Sequence, residues 1–430
     1  MTTALERYQE SSWRRRKRAQ RQNHRLDLQG LRMVAVLAVF ANHLWGWPQG
    51  GVVGVDLFFV ITGFLITASL LRDGEQPGVV SLKRFYWTRL RRVLPAASLV
   101  LILTYATSTL VLTSAQVHEV GQDAALAAVF VANWQFASDS AAGESMSPLA
   151  HYWAVSIEQQ FYLVWPLLIL GASLMAVRKA APARRKLAIG AVIGVTVAAS
   201  LAWALYETAT AHDSAYFNTF ARVWEFGIGA LLATAAGALA RIPDLFKPLM
   251  SWFGLLLIGV SLFYLDMESP GFPAPWAILP VCGAGLVIAA GVGFEPRYQW
   301  FLTNRVSTYI GNLSYSLYLV HWPVIILIGA IMASSNYFYV TVLTVSCALA
   351  VACYHFVETP LRNATFEKIR DTRRAIDEGV YHVERSSKAA AVAALVLLTV
   401  GLISYAMRPE AYDQSAAPAE LISLHSSSSN

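Results

Sequence analysis

The chain has 430 residues, of which 56% are hydrophobic and only 14% charged, with a formal net charge of +6. That balance lies outside the range of soluble globular domains and inside that of polytopic membrane proteins, so length does not count domains here. The three cysteines, Cys282, Cys347 and Cys353, fall in apolar stretches with neither metal-ligand spacing nor a disulfide framework, and read as small buried hydrophobes.

Residues 1–24 carry the basic run WRRRKRAQRQ. The stretch that follows is long, contains Arg32 and has no small-residue cleavage site. It reads as a retained first span with its basic flank in the cytoplasm. Hydropathy then places spans near 28–46, 52–71, 93–113, 157–177, 186–206, 218–238, 249–266, 274–293, 307–332, 336–357 and 388–407. Lys and Arg concentrate in alternate loops, KRFYWTRLRR, RKAAPARRK, RIPDLFK, EPRYQWFLTNR and LRNATFEKIRDTRR, while DMESPGFP, TAHDS and the long segment before His151 are acidic or neutral. The fold class this implies is an all-α polytopic membrane bundle, about ten spans plus one extra C-terminal span, with a cytoplasmic N-terminus. The apolar stretch 124–136 breaks that parity and reads as an external re-entrant or interfacial helix. Residues 25–365 form the membrane domain, 366–387 a cytoplasmic linker, 388–407 the additional span and 408–430 an external Ser-rich tail.

Ionisable residues inside spans are the functional signal, because they are rare there unless they line a cavity or meet a partner, an Arg costing at least ~2.5 kcal/mol at the centre of a bilayer. Arg32 and His43 lie eleven positions apart in the first span, about three turns, so they share a face with roughly 16 Å of rise between them. Alone, Arg32 could snorkel and His43 could be an interfacial histidine; the pair on one face favours a site. Arg89 and Arg92, three apart in a basic run, suit phosphate oxygens if that run is helical, although such a run also anchors anionic lipid. His151 and Glu158 are about two turns apart and would project together if the helix begins early enough; Glu158, beside Ser156, Gln159 and Gln160, suits a hydroxyl ligand or a packing role equally. Arg222 and Glu225, at i and i+3, read as a helix-packing pair. His321 is a candidate second to His43, and Pro323 after it predicts a freed backbone carbonyl. Asp56 at the start of the second span reads equally as an orienting partner for His43 or as an ordinary interfacial carboxylate.

The succession RLDLQGLRMVAVLAVFANH, GGVVGVDLFFVITGFLI, FYWTRLRRVLPA, PLAHYWAVSIEQQFYLVWP, RVWEFGIGALLA, GNLSYSLYLVHWP and VETPLR resembles the integral-membrane acyltransferase family 3, in order and at comparable spacing over about residues 25–362. The resemblance implies an acyl group, usually acetyl, taken from cytoplasmic acyl-CoA and delivered to a hydroxyl of a carbohydrate or glycolipid at the outer face of the bacterial cytoplasmic (inner) membrane. By the same resemblance His43, Arg32 and Glu158 are the catalytic candidates. Arg89, Arg92 and Arg32 would hold the acyl-CoA; Asp56, His151 and His321 rank second; no metal and no nucleic acid is implied. Departures are mild: Ala154 and Thr62 stand where serine is common, and Gln159 where a second glutamate is.

The Arg-x-Trp-Glu segment and extra last span are similar to the subgroup carrying an external SGNH hydrolase-like domain, yet the chain has no Gly-Asp-Ser block and no Asp-x-x-His block. The expectation is either a truncated membrane module or a member that works without that domain in the same chain. Two other classes would also place Arg, His and Glu in a bundle. A secondary transporter or channel would carry repeat symmetry, which the chain lacks, and a non-catalytic scaffold would tolerate loss of His43.

Overall fold

The computed structural model describes residues 25–73, 82–142, 147–175, 182–267, 269–293, 298–362 and 385–406, with Arg374 and Glu378. The basic segment 1–24, the tail 408–430 and most of the linker 366–387 lie outside the described residues. Among the described residues every regular element is helical. The helices are α1 Leu26–Trp45, α2 Gly54–Asp73, α3 Leu82–Val111, α4 Ser114–Ala128, α5 Ala132–Ala142, α6 Tyr152–Met175, α7 Pro182–Thr210, α8 His212–Ala215 and α9 Thr219–Thr234. They continue as α10 Ala236–Leu239, α11 Phe246–Tyr264, α12 Ile278–Ala290, α13 Trp300–Thr303, α14 Arg305–Gly329, α15 Asn336–Ala352, α16 Thr359–Arg362 and α17 Arg385–Ala406. A 3₁₀ turn, Gln49–Val53, leads into α2, and a π-helical turn, Cys353–Glu358, joins α15 to α16.

Eight helical stretches among the described residues are long and apolar enough to cross a bilayer, which makes this a multi-pass membrane protein. The spans expected at 218–238 and 274–293 are shorter than expected, α9 having 16 residues and α12 having 13. The stretch 124–136 is not one helix. Phe130, at φ 60°, breaks it into the end of α4 and the start of α5.

Local chemistry sets the helix ends. The Asn218 side chain accepts from the Phe220 N–H at the head of α9, Ser335 does the same for Phe338 at α15, and Thr113 with Gln116 forms a reciprocal capping box on α4. Gly46, at φ 68°, ends α1 in the left-handed conformation that needs no Cβ, its N–H returning to the Asn42 carbonyl at 2.7 Å.

The chain forms two compact units, residues 1–80 with 160–314 and residues 81–159 with 315–430. In the first, α2 packs on α9, α9 on α7 and α11 on α12. Gly63 of α2 lies against the backbone of Phe226, and Gly229 of α9 against that of Val60, so these two helices meet without side chains between them. Beside that contact the rings of Phe59, Phe226, Phe161 and Trp165 stack in series with centroids 4.3 to 4.6 Å apart, and the Trp165 indole N–H ends the series on Thr67 Oγ1 at 2.8 Å. In the second unit α3 packs on α4 and on the π turn, and α15 on α17.

Candidate active site

In the first unit, Arg32 and His43 stand on one unbroken helix, α1, so the sequence spacing becomes a real separation of roughly 16 Å along one face. Both are half-buried. The Asn42 side-chain amide, beside His43, donates to the carbonyls of Pro48 and Gln49, both at 3.0 Å, and folds the chain back on the helix. The 3₁₀ turn then descends along α1: a Cβ at Gly51 would strike the carbonyl of Ala38, and one at Gly54 that of Ala35. Helix α2 therefore starts beside the middle of α1, and the Phe58 ring lies 6.0 Å from the Arg32 guanidinium.

That descent relocates Asp56. Expected near His43, it is fully buried and ion-paired with Arg222 of α9. Arg222 also pairs with Glu225 at 3.0 Å, as its i, i+3 spacing predicts, and its guanidinium lies 5.3 Å from the Tyr216 ring and 5.7 Å from that of Phe59. All three charged side chains are inaccessible to solvent. The set is a buried packing core tying α2 to α9, and Asp56 is the member the sequence reading misassigned.

In the second unit, α3 runs without a break through Arg89 and Arg92, which meets the condition for the two guanidinium groups to share a face. Both are half-buried, with Arg89 5.5 Å from the Phe85 ring. Helix α6 begins at Tyr152, one residue too late to include His151, so His151 and Glu158 do not share a helix face as expected. His151 instead sits on the preceding turn and donates through Nε2 to the Leu319 carbonyl at 3.0 Å. Leu319 is four residues before Pro323, and its carbonyl is the one that proline leaves without a helical N–H. His321, fully buried, directs Nδ1 at the carbonyl of Tyr318 at 2.6 Å, and the Tyr318 hydroxyl donates to the His151 carbonyl at 2.9 Å. These partners fix the tautomers as Nε2–H for His151 and Nδ1–H for His321. The two imidazoles lie 5.8 Å apart, so the structure joins two residues the sequence treated separately.

Sequence reasoning missed Glu358. The π turn carries its carboxylate, 1% exposed, to both the Ser316 hydroxyl at 2.9 Å and Arg362 at 3.4 Å. Glu158 is half-buried on α6 and, with Glu358 and Tyr152, lies within electrostatic reach of the Tyr315 hydroxyl, which donates to the Val93 carbonyl of α3 at 2.9 Å. The only advance signal for Glu358 was its place in VETPLR.

The helical membrane architecture and its intramembrane Arg, His and Glu define a class, and comparison with known proteins supplies the family. Residues 25–355 match the model of the acyltransferase domain family, acyltransferase 3, and the chain belongs to that family. It is 30% identical over 355 residues to the O-acetyltransferase OatA of Staphylococcus aureus (strain NCTC 8325 / PS 47), a match covering 79% of this chain and 57% of OatA. It is 31% identical over 363 residues to YrhL of Bacillus subtilis (strain 168), which carries the name of a candidate peptidoglycan O-acetyltransferase, covering 80% of this chain and 56% of YrhL. A candidate O-acetyltransferase of Staphylococcus aureus (strain COL) is 32% identical over 350 residues, covering 78% of this chain and 57% of its own. The chain thus spans a little over half the length of these relatives. No solved structure matches it.

Proposed function

We propose that this protein is an acyl-CoA-dependent membrane O-acyltransferase that moves an acyl group, acetyl in the simplest case, from cytoplasmic acyl-CoA to a hydroxyl of a carbohydrate or glycolipid at the outer face of the bacterial cytoplasmic membrane. The observation that carries the reading is Arg32 and His43 on one continuous helix face in a chain of the acyltransferase 3 family.

His43 is the general base, a role that suits histidine because an unperturbed imidazole titrates at about 6.5, near working pH. Its neutral ring nitrogen removes the acceptor hydroxyl proton, the oxygen attacks the thioester carbonyl, the carbon–sulfur bond breaks, and the departing thiolate takes up the proton. Arg89 and Arg92 hold the phosphates of the donor. Arg32, too far down the helix to share one carbonyl with His43, holds the donor arm. Glu158 binds the acceptor hydroxyl.

The test is acyl-CoA thioester cleavage by the purified protein with a hydroxyl acceptor. His43→Gln keeps a hydrogen-bonding side chain but cannot shuttle a proton near neutral pH, and general-base loss costs about 10²–10⁴-fold. Near-wild-type transfer by that variant would remove His43 as the base and pass the role to His321; no protein-dependent cleavage at all would return the chain to the transporter or scaffold class.

A further inference from the structure

The chain reversal that follows His43 in the first unit leaves broad aromatic surface uncovered. Trp47 is 62% exposed, and its ring meets that of Phe263, itself 53% exposed near the end of α11, with centroids 5.5 Å apart and planes tilted by 54°. Two large rings packed together in the open form a patch rather than a scattered exposure. The loop that carries Trp47 is clamped from both sides. Toward α1 the Asn42 amide binds the carbonyls of Pro48 and Gln49, and toward α11 a Cβ at Gly50 would overlap the carbonyl of Ser261. The Gly51 N–H closes the turn on the Pro48 carbonyl at 2.9 Å. Trp47 is therefore an open ring on a rigid support.

Position and chemistry select what covers it. Trp47 follows His43 by four residues, a stretch of chain that reaches at most about 14 Å, so a sugar chain lying on the ring can bring a hydroxyl to the imidazole. An indole has a negative face, and one face of a pyranose ring is a row of C–H groups polarised by the sugar oxygens; stacking the two buries apolar area on both and leaves the hydroxyls at the rim. Gln49, exposed two residues further on, offers an amide donor and acceptor there. We propose that Trp47, backed by Phe263, is the platform on which a pyranose ring of the acceptor stacks, with Gln49 bonding its hydroxyls. This rests on the acyltransferase reading above and deepens it by committing the acceptor to a cyclic sugar rather than an acyclic alcohol. A lipid headgroup layer also takes tryptophan, but a ring that served only there would need neither the fixed support nor a place beside the proposed base.

The experiment supplies acetyl-CoA to the full chain in nanodiscs with either chitotetraose, a chain of pyranose rings, or glycerol, which has hydroxyls and no ring. Trp47→Ala should raise KM for chitotetraose about tenfold more than KM for glycerol, the size of one lost aromatic stack. Trp47→Phe keeps an aromatic face and should recover most of that difference. Phe263→Leu removes only the backing ring and should shift chitotetraose relative to glycerol by about threefold. Equal changes for the two acceptors, no change for either, or wild-type transfer to glycerol but not to chitotetraose overturns the platform alone. Reduced nanodisc insertion of Trp47→Ala with both acceptors affected alike also overturns it and assigns the rings to the headgroup layer. A wild-type protein that cleaves acetyl-CoA with neither acceptor overturns the acyl-CoA reading and the platform with it.

Discussion

The imidazole of His151 closes the gap that Pro323 opens in α14, donating at 3.0 Å to the Leu319 carbonyl that the proline leaves without its helical N–H. One break in a hydrogen-bond ladder is thereby repaired by a side chain 168 residues away in sequence. Because both the donor and the defect can be removed independently, the relationship is measurable. His151→Phe keeps a ring but loses the donor and should lower stability in detergent by about 1–3 kcal/mol. In a Pro323→Ala background, where the backbone regains its own N–H, the same change should cost less than about 0.5 kcal/mol. Equal costs in both backgrounds would show that the bond contributes nothing beyond packing.

Arg222 should be the most sensitive charged residue to remove. With Asp56 and Glu225 both fully buried against it, Arg222→Leu leaves two carboxylates without their cation and should cost about 3–5 kcal/mol, read as loss of folded protein on heating or SDS titration. Glu225→Gln retains the Asp56 pair and should be milder. If Arg222→Leu unfolds no earlier than the parent, the three charges are not what fastens α2 to α9.

Replacing Arg89 and Arg92 together by Ala should weaken binding of acetyl-CoA at least tenfold more than binding of S-acetylpantetheine, which carries no phosphate, since the lost partner is a charged phosphate. Added salt should weaken the wild-type interaction in the same direction. Equal losses for both ligands would assign the pair to lipid anchoring.

Glu158→Gln should cut transfer by about 100-fold while donor binding and thermal stability stay at their wild-type values. A fall in thermal stability in step with the fall in rate would place Glu158 among the packing residues.

Much of this was legible in the chain itself. The unbroken α1 follows from a long apolar run with no interior proline and no glycine between Gly30 and Gly46, and so the Arg32–His43 spacing translated directly into geometry. Pro323 announced a freed carbonyl, yet nothing local announced that His151 would fill it. Asp56 and Arg222, 166 residues apart, pair only because Gly63 and Gly229 let α2 and α9 touch, a long-range event with no periodic signature. The sequence placed this span from about 157 and left open an earlier start; the helix begins at Tyr152, one residue after His151, because Ser147 organises a run of turns just before it, its side chain and carbonyl accepting from Leu149 and Ala150. The break at Phe130 depends on a positive φ that an aromatic residue does not advertise.

The π turn at Cys353–Glu358 makes the count of residues there matter more than their identity. Such a turn is an α-helix holding one residue more than its ladder requires. Deleting one residue from 354–356, a stretch that is half-buried or exposed, removes that surplus and would let the helix regularise with Glu358 still on its present face, whereas inserting one there would rotate everything after it by about 100°. After such an insertion Glu358 and Arg362 would swing away together, still four apart, and Ser316 would be left facing the space where the carboxylate had been. Substitutions among Tyr354, His355 and Phe356, and even a one-residue deletion, should therefore be tolerated far more readily than an insertion between Cys353 and Glu358.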